Sequence, residues 1–86
     1  MWIVELTFTP APERLAARLA HRERLTALHR EGTVRLAGPF ADDGGALIVL
    51  DAPSREDVEA LVAADPYVTT PGVAVARIRE WRPFLT

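Results

Sequence analysis

One histidine and one aspartate carry the only arrangement in this 86-residue chain that could move a proton. His21 lies in a long Ala-, Leu- and Arg-rich stretch, and Asp65-Pro66-Tyr67 closes a later acidic, amphipathic one. Should the fold bring that carboxylate to that imidazole, the two become an acid–base couple, because a carboxylate orients the ring and strengthens it as a base. Taken alone, each residue has a plainer use. His21 fits a half-buried helix histidine bonded to a backbone carbonyl, the reading its residue type favours. Asp65 fits a turn residue, since an aspartate before proline is turned away from the helical region and can cap its own backbone. The plain and chemical uses of Asp65 are compatible.

Three neighbours could complete a site. Tyr67 could donate a hydrogen bond to a phenolate or enolate oxygen, although an aromatic just after a helix more often packs. Gly38 and Pro39 could let a ligand approach the backbone closely, or could simply end a strand. Arg77 and Arg79 are placed by alternation on one face of the last strand with Val73, Val75 and Trp81, suited to an anionic ligand or, preferably, to ion pairs across a subunit interface. Trp2 and Trp81 read as core or interface anchors.

Composition removes several other chemistries. There is no cysteine, so disulfides, thiolate nucleophiles and thiolate metal sites are excluded. Two histidines eight residues apart on a helix diverge, and apart from the turn at Asp42-Asp43 no clustered carboxylate or His-rich spacing is present, so no metal site is expected. Gly44-Gly45 opens no helix, so no phosphate loop and no nucleotide cofactor is indicated. All ten basic residues are arginine against twelve acids, and the net charge of −2 disfavours a nucleic-acid partner. No segment approaches the roughly 20 apolar residues of a membrane span, and no basic leader precedes an apolar run. A cytoplasmic protein with no membrane association is expected.

The elements that must position these residues are read from periodicity. Trp2, Val4, Leu6 and Phe8 alternate with Ile3, Glu5 and Thr7, as a strand does. Pro10 and Pro12 open a helix reaching about Glu31, with Gly32 as its left-handed cap. Along it Leu15 and Leu19 are out of phase with Leu25 and Leu28, which implies a bend or two buried faces; His21 shares the Leu25 and Leu28 face, and His29 is exposed. Thr33 to Ala37 alternates with Val34 and Leu36 inward, and Asp42-Asp43-Gly44-Gly45 makes a hairpin turn. Ala46 to Leu50 is apolar on both faces. Ser54 caps a second helix to about Ala64, buried through Val58, Leu61 and Val62. Val73 to Trp81 is the last strand, and Arg82 to Thr86 a short tail.

This order, within one domain spanning residues 1–86, gives an α+β, ferredoxin-like βαββαβ fold with a four-stranded antiparallel sheet and both helices on one face. A small chain with an apolar face left open suggests a homodimer whose sheets pack face to face, a dimeric α/β barrel. His21 on the first helix, Gly38-Pro39 after the second strand and Asp65-Pro66-Tyr67 after the second helix, in this order and register, resemble the YCII-related family across essentially the whole chain. The first helix departs in being more charged after His21, at Arg22-Glu23-Arg24.

The resemblance implies a His and Asp active site in a pocket near the barrel edge, and one branch of the family resembles enzymes that eliminate chloride from hydroxylated, chlorinated rings. Fold alone does not select a reaction. The expected function is a cofactor-independent enzyme using His21 and Asp65 for acid–base elimination or isomerisation of a small cyclic or aromatic molecule. Tyr67, or a backbone N–H near Gly38, would steady developing oxygen charge. Two alternatives stand beside it: a non-catalytic module that holds a small molecule or a partner in the same pocket, and a structural oligomerisation domain whose pocket is filled by side chains.

Overall fold

A computed structural model describes residues 1–86. The elements are β1 (Trp2–Phe8), α1 (Pro12–Arg30), β2 (Val34–Pro39), β3 (Gly45–Leu50), α2 (Arg55–Ala63), a short 3-10 helix (Pro66–Thr69) and β4 (Val73–Glu80). The strands form one antiparallel sheet in the order β2-β3-β1-β4. This is the ferredoxin-like α+β arrangement expected from the order of elements. Val4, Leu6, Ile48 and Leu50 from the central strands meet Val58 of α2 in the core, and Leu25, Leu28, Leu61 and Val62 of the helices pack against them. Both helices therefore cover the same face of the sheet.

Each helix ends for a local reason. Proline opens α1, where its missing N–H is one of the four that a helix leaves unpaired anyway. At the other end Gly32 takes φ 85°, and Thr33 N–H returns to Leu28 O while Gly32 N–H returns to His29 O. That pair of bonds satisfies carbonyls the helix would otherwise orphan. At α2, Ser54 accepts the Asp57 N–H, and its hydroxyl donates to the Asp57 carboxylate. The second helix is thereby capped as its sequence specifies.

Alternation fails at two points, each through a β-bulge. In β2, Val34 pairs with Leu50 but Leu36 pairs with Val49, so an extra residue, Arg35, sits opposite the β3 step. Leu36 was expected to point inward with Val34; the bulge turns it to the opposite face, where it is 69% exposed. In β4, Arg77 pairs with Glu5 but Val75 pairs with Leu6, which leaves Ala76 extra. Val73 and Val75 therefore lie on the helix-covered face opposite Phe8 and Leu6, and Arg77 and Arg79 on the other. The five residues expected on one face of this strand are divided between two. Arg77 forms an ion pair with its cross-strand neighbour Glu5 at 3.3 Å.

Helix α1 runs unbroken through the phase mismatch. Leu25 and Leu28 pack on the core, whereas Leu15 and Leu19 are exposed. On the uncovered side of the sheet lie Ile3, Leu47 and Val49, joined by Leu36. Trp2 instead joins the core and donates its indole N–H to Ala52 O at 3.2 Å. No helix is long and apolar enough to cross a membrane.

Candidate active site

Helix α1 carries His21 on the side that faces the sheet, and the 3-10 helix after α2 delivers Asp65 to it. His21 Nδ1 is 2.8 Å from each Asp65 carboxylate oxygen. Both residues are 6% exposed, so the pair is held away from bulk water. Asp65 Oδ1 also accepts the Tyr67 N–H at 2.8 Å, which starts the 3-10 helix. The Arg24 guanidinium stands 3.8 Å from Oδ2. A buried carboxylate requires several donors to offset its lost hydration, and here it has two hydrogen bonds and a nearby cation. Asp65 thus caps a turn and holds a histidine at the same time.

With Nδ1 donating to the carboxylate, the tautomer is set and Nε2 is left as the acceptor. Nε2 has no hydrogen-bond partner in the chain, and His21 lines a cleft of about 550 Å³ between α1 and the β2–β3 hairpin. The imidazole stacks on the Tyr67 ring, with centroids 3.8 Å apart and planes 5° from parallel, and Phe8 meets Tyr67 edge-on at 5.9 Å. Tyr67 is 3% exposed, and its hydroxyl makes no hydrogen bond within the chain. Its ring restrains the rotation of His21 and forms part of the cleft wall.

Gly38 and Pro39 also line the cleft, along the edge strand β2. In an antiparallel ladder alternate residues bond to the same neighbour. Phe40 donates to Gly45 O, so two residues earlier Gly38 directs its N–H to β3 as well. Gly38 and Pro39 are walls of the cleft. A Cβ at Gly38 would meet nothing within 4 Å. The backbone carbonyl bond expected as the plain use of His21 belongs instead to the second histidine: His29 Nδ1–H donates to Val34 O at 2.8 Å.

Sequence reasoning missed the arginines of this cleft. Arg14, Arg18 and Arg22 of α1 and Arg35 of β2 all line it, against a single acid, Asp43. Arg14 spans the cleft end: its guanidinium lies 4.3 Å above the Phe8 ring and bonds Asp43 Oδ2 at 3.1 Å. The signal was present in the i, i+4, i+8 spacing of residues 14, 18 and 22, which puts them on one helix face.

The chain is similar in sequence and in fold to known proteins. The chain is 36% identical over 62 residues to the uncharacterized protein YjpA of Bacillus subtilis (strain 168), covering 72% of each chain. Its fold matches that of 5-chloro-2-hydroxyhydroquinone dehydrochlorinase (TftG) from Burkholderia phenoliruptrix AC1100, solved in complex with 2,5-dihydroxybenzoquinone. The TM-score is 0.70 at 20% identity, covering 95% of this chain and 94% of that one. At that identity the likeness concerns the fold. Residues 1–82 match the YCII-related domain, and with that match extending over nearly its whole length the chain belongs to the YCII-related family.

Proposed function

We propose that this protein is a cofactor-independent acid–base enzyme acting on a small cyclic or aromatic molecule bound in the cleft beside His21. The observation that carries this reading is a buried imidazole held by both oxygens of Asp65, with its other nitrogen turned to an open cleft. In this scheme Asp65 fixes the ring and stabilises the imidazolium once it forms. His21 Nε2 removes a proton from the substrate. The electron pair left behind moves into the ring system and either expels a leaving group or is reprotonated at another carbon. Elimination and isomerisation thus share one first step. The Tyr67 ring keeps the imidazole in place, and Tyr67, Gly38 and Pro39 form walls against which a flat substrate packs.

Family membership and the fold shared with a dehydrochlorinase support a small-molecule enzyme and suggest the first compound to try. 5-Chloro-2-hydroxyhydroquinone, assayed by chloride release, tests elimination; a panel of lactones and enones tests isomerisation. Substituting His21→Ala or Asp65→Asn is expected to leave a folded protein and to lower turnover by about 10²–10⁴-fold, the usual contribution of a positioned acid–base group. An active His21→Ala enzyme would end the proposal.

The open cleft also favours a second reading, in which the protein binds a small molecule without turning it over. A ligand that binds His21→Ala and wild-type protein equally, with no turnover of any compound by either, would establish that reading. The same proposal pairs two copies through the uncovered sheet face, where Ile3, Leu36 and Leu47 present an apolar surface around the buried Val49.

A further inference from the structure

The chain as a whole carries a net charge of −2, yet its cleft is lined by four arginines and one aspartate. Three of the four form a strip on α1. Arg14, Arg18 and Arg22 follow one another at intervals of four residues, a spacing at which like charges repel and which a helix serving only the fold would relieve with an interleaved acid. The acids nearest in sequence, Glu13 and Glu23, are not part of the cleft wall. Arg18 and Arg22 have no carboxylate within 4.0 Å, whereas Arg35 has Asp51 at 3.8 Å and Arg14 has Asp43 at 3.1 Å. Arg14 is nonetheless incompletely satisfied. Its Nε is sealed from solvent and has no acceptor, the only buried side-chain nitrogen or oxygen in the protein left so.

Around this strip the cleft is apolar and partly aromatic, through Phe8, Leu25, Val34, Ala46, Ile48 and Tyr67. A site with unpaired guanidinium groups on one wall and rings and aliphatic side chains on the others suits a flat molecule with an anionic end. Guanidinium is matched to planar oxyanions, because two parallel N–H groups can reach two oxygens. Building on the acid–base reading, we propose that the substrate is a cyclic or aromatic carboxylate. Its carboxylate is held by Arg18 and Arg22, and its ring lies over the apolar wall within reach of His21 Nε2. Arg14, fixed between Phe8 and Asp43, closes the cationic end of the cleft.

The test uses benzoate and its neutral counterpart benzamide, titrated into the full-length protein. The Hε1 signals of His21 and His29, the only two histidines, report where the ring sits. Benzoate is expected to shift His21 and to bind at least tenfold more tightly than benzamide, the difference expected of a charge-assisted pair. Replacing both contacts, Arg18→Gln with Arg22→Gln, should erase that preference while the amide spectrum stays that of a folded protein. Arg30→Gln, on the same helix but outside the cleft, should leave the preference intact. Equal binding of the two compounds, absence of benzoate binding, or an unchanged preference in the double variant overturns the proposal. The catalytic reading is tested separately. His21→Gln should keep the preference for benzoate and lose turnover, so a failure of charge selectivity and a failure of proton transfer are read from different measurements.

Discussion

At the scale of single residues, the site turns on how much one aspartate holds. Asp65 receives a ring N–H and a backbone N–H in a nearly water-free setting, and removing it strands both donors. Leaving a buried donor unsatisfied costs about 1–3 kcal/mol. Asp65→Ala should therefore destabilise the protein by at least about 2 kcal/mol, while Asp65→Asn, which keeps an acceptor for the Tyr67 N–H, should cost clearly less. Urea melts of the two variants decide it; equal midpoints would mean that the cap contributes nothing. The residue types of this pair were legible in the sequence, but their meeting was not, because 44 positions separate them and only the tertiary fold brings them together. The arginines of the cleft escaped for a different reason. Net charge averages over the surface, and a chain of −2 conceals a cationic hollow if its acids are elsewhere.

Among the elements, strands, helices and caps follow closely from alternation, from Pro12, from Gly32 and from Ser54. The 3-10 helix did not, being too short for a periodicity, and neither did the bulges at Arg35 and Ala76. A bulge inserts one residue into a strand without changing its composition, so everything beyond it is assigned to the wrong face. Leu36 and the pair Val73 and Val75 were misplaced in this way. Glycines separate two kinds of position in the same hairpin. A Cβ at Gly45 would collide with the Leu6 carbonyl of β1, whereas one at Gly38 meets open space. Gly45→Ala should destabilise by about 1–3 kcal/mol, as overpacking does, and Gly38→Ala should change stability by less than about 0.5 kcal/mol. Thermal melts of both variants measure the contrast, and a harmless Gly45→Ala would show that β1 and β3 can separate at no cost.

On the scale of the whole molecule, one face of the sheet is covered by two helices and the other by nothing in the chain. The uncovered face combines Ile3, Leu36 and Leu47, set around the buried Val49, with the Arg77–Glu5 ion pair, and Trp81, 44% exposed, follows at the end of β4. Pairing two such faces would remove apolar surface that a small chain has few other means of burying. Sedimentation equilibrium should then give twice the 9.5 kDa mass of the chain. Trp81→Glu should shift the equilibrium toward monomer by at least tenfold in dissociation constant, since a desolvated carboxylate would oppose association. A wild-type monomer at micromolar concentration would exclude this pairing. The open face was legible from the two-sided apolar character of Ala46 to Leu50; that Val73 and Val75 do not share it with Arg77, Arg79 and Trp81 could be read only once the β4 bulge was known.

The double duty of Asp65 bears on how this protein's relatives should be judged. Selection for folding alone would retain an Asp-Pro that caps a turn, even in a lineage whose chemistry had decayed. The histidine caps nothing: its ring hydrogen-bonds only to Asp65 and stacks on Tyr67. A descendant that kept the aspartate but replaced His21 would still fold and would look, by its turn, like a working member. On the proposed acid–base reading, then, the histidine and not the aspartate is the position by which to compare this chain with its relatives.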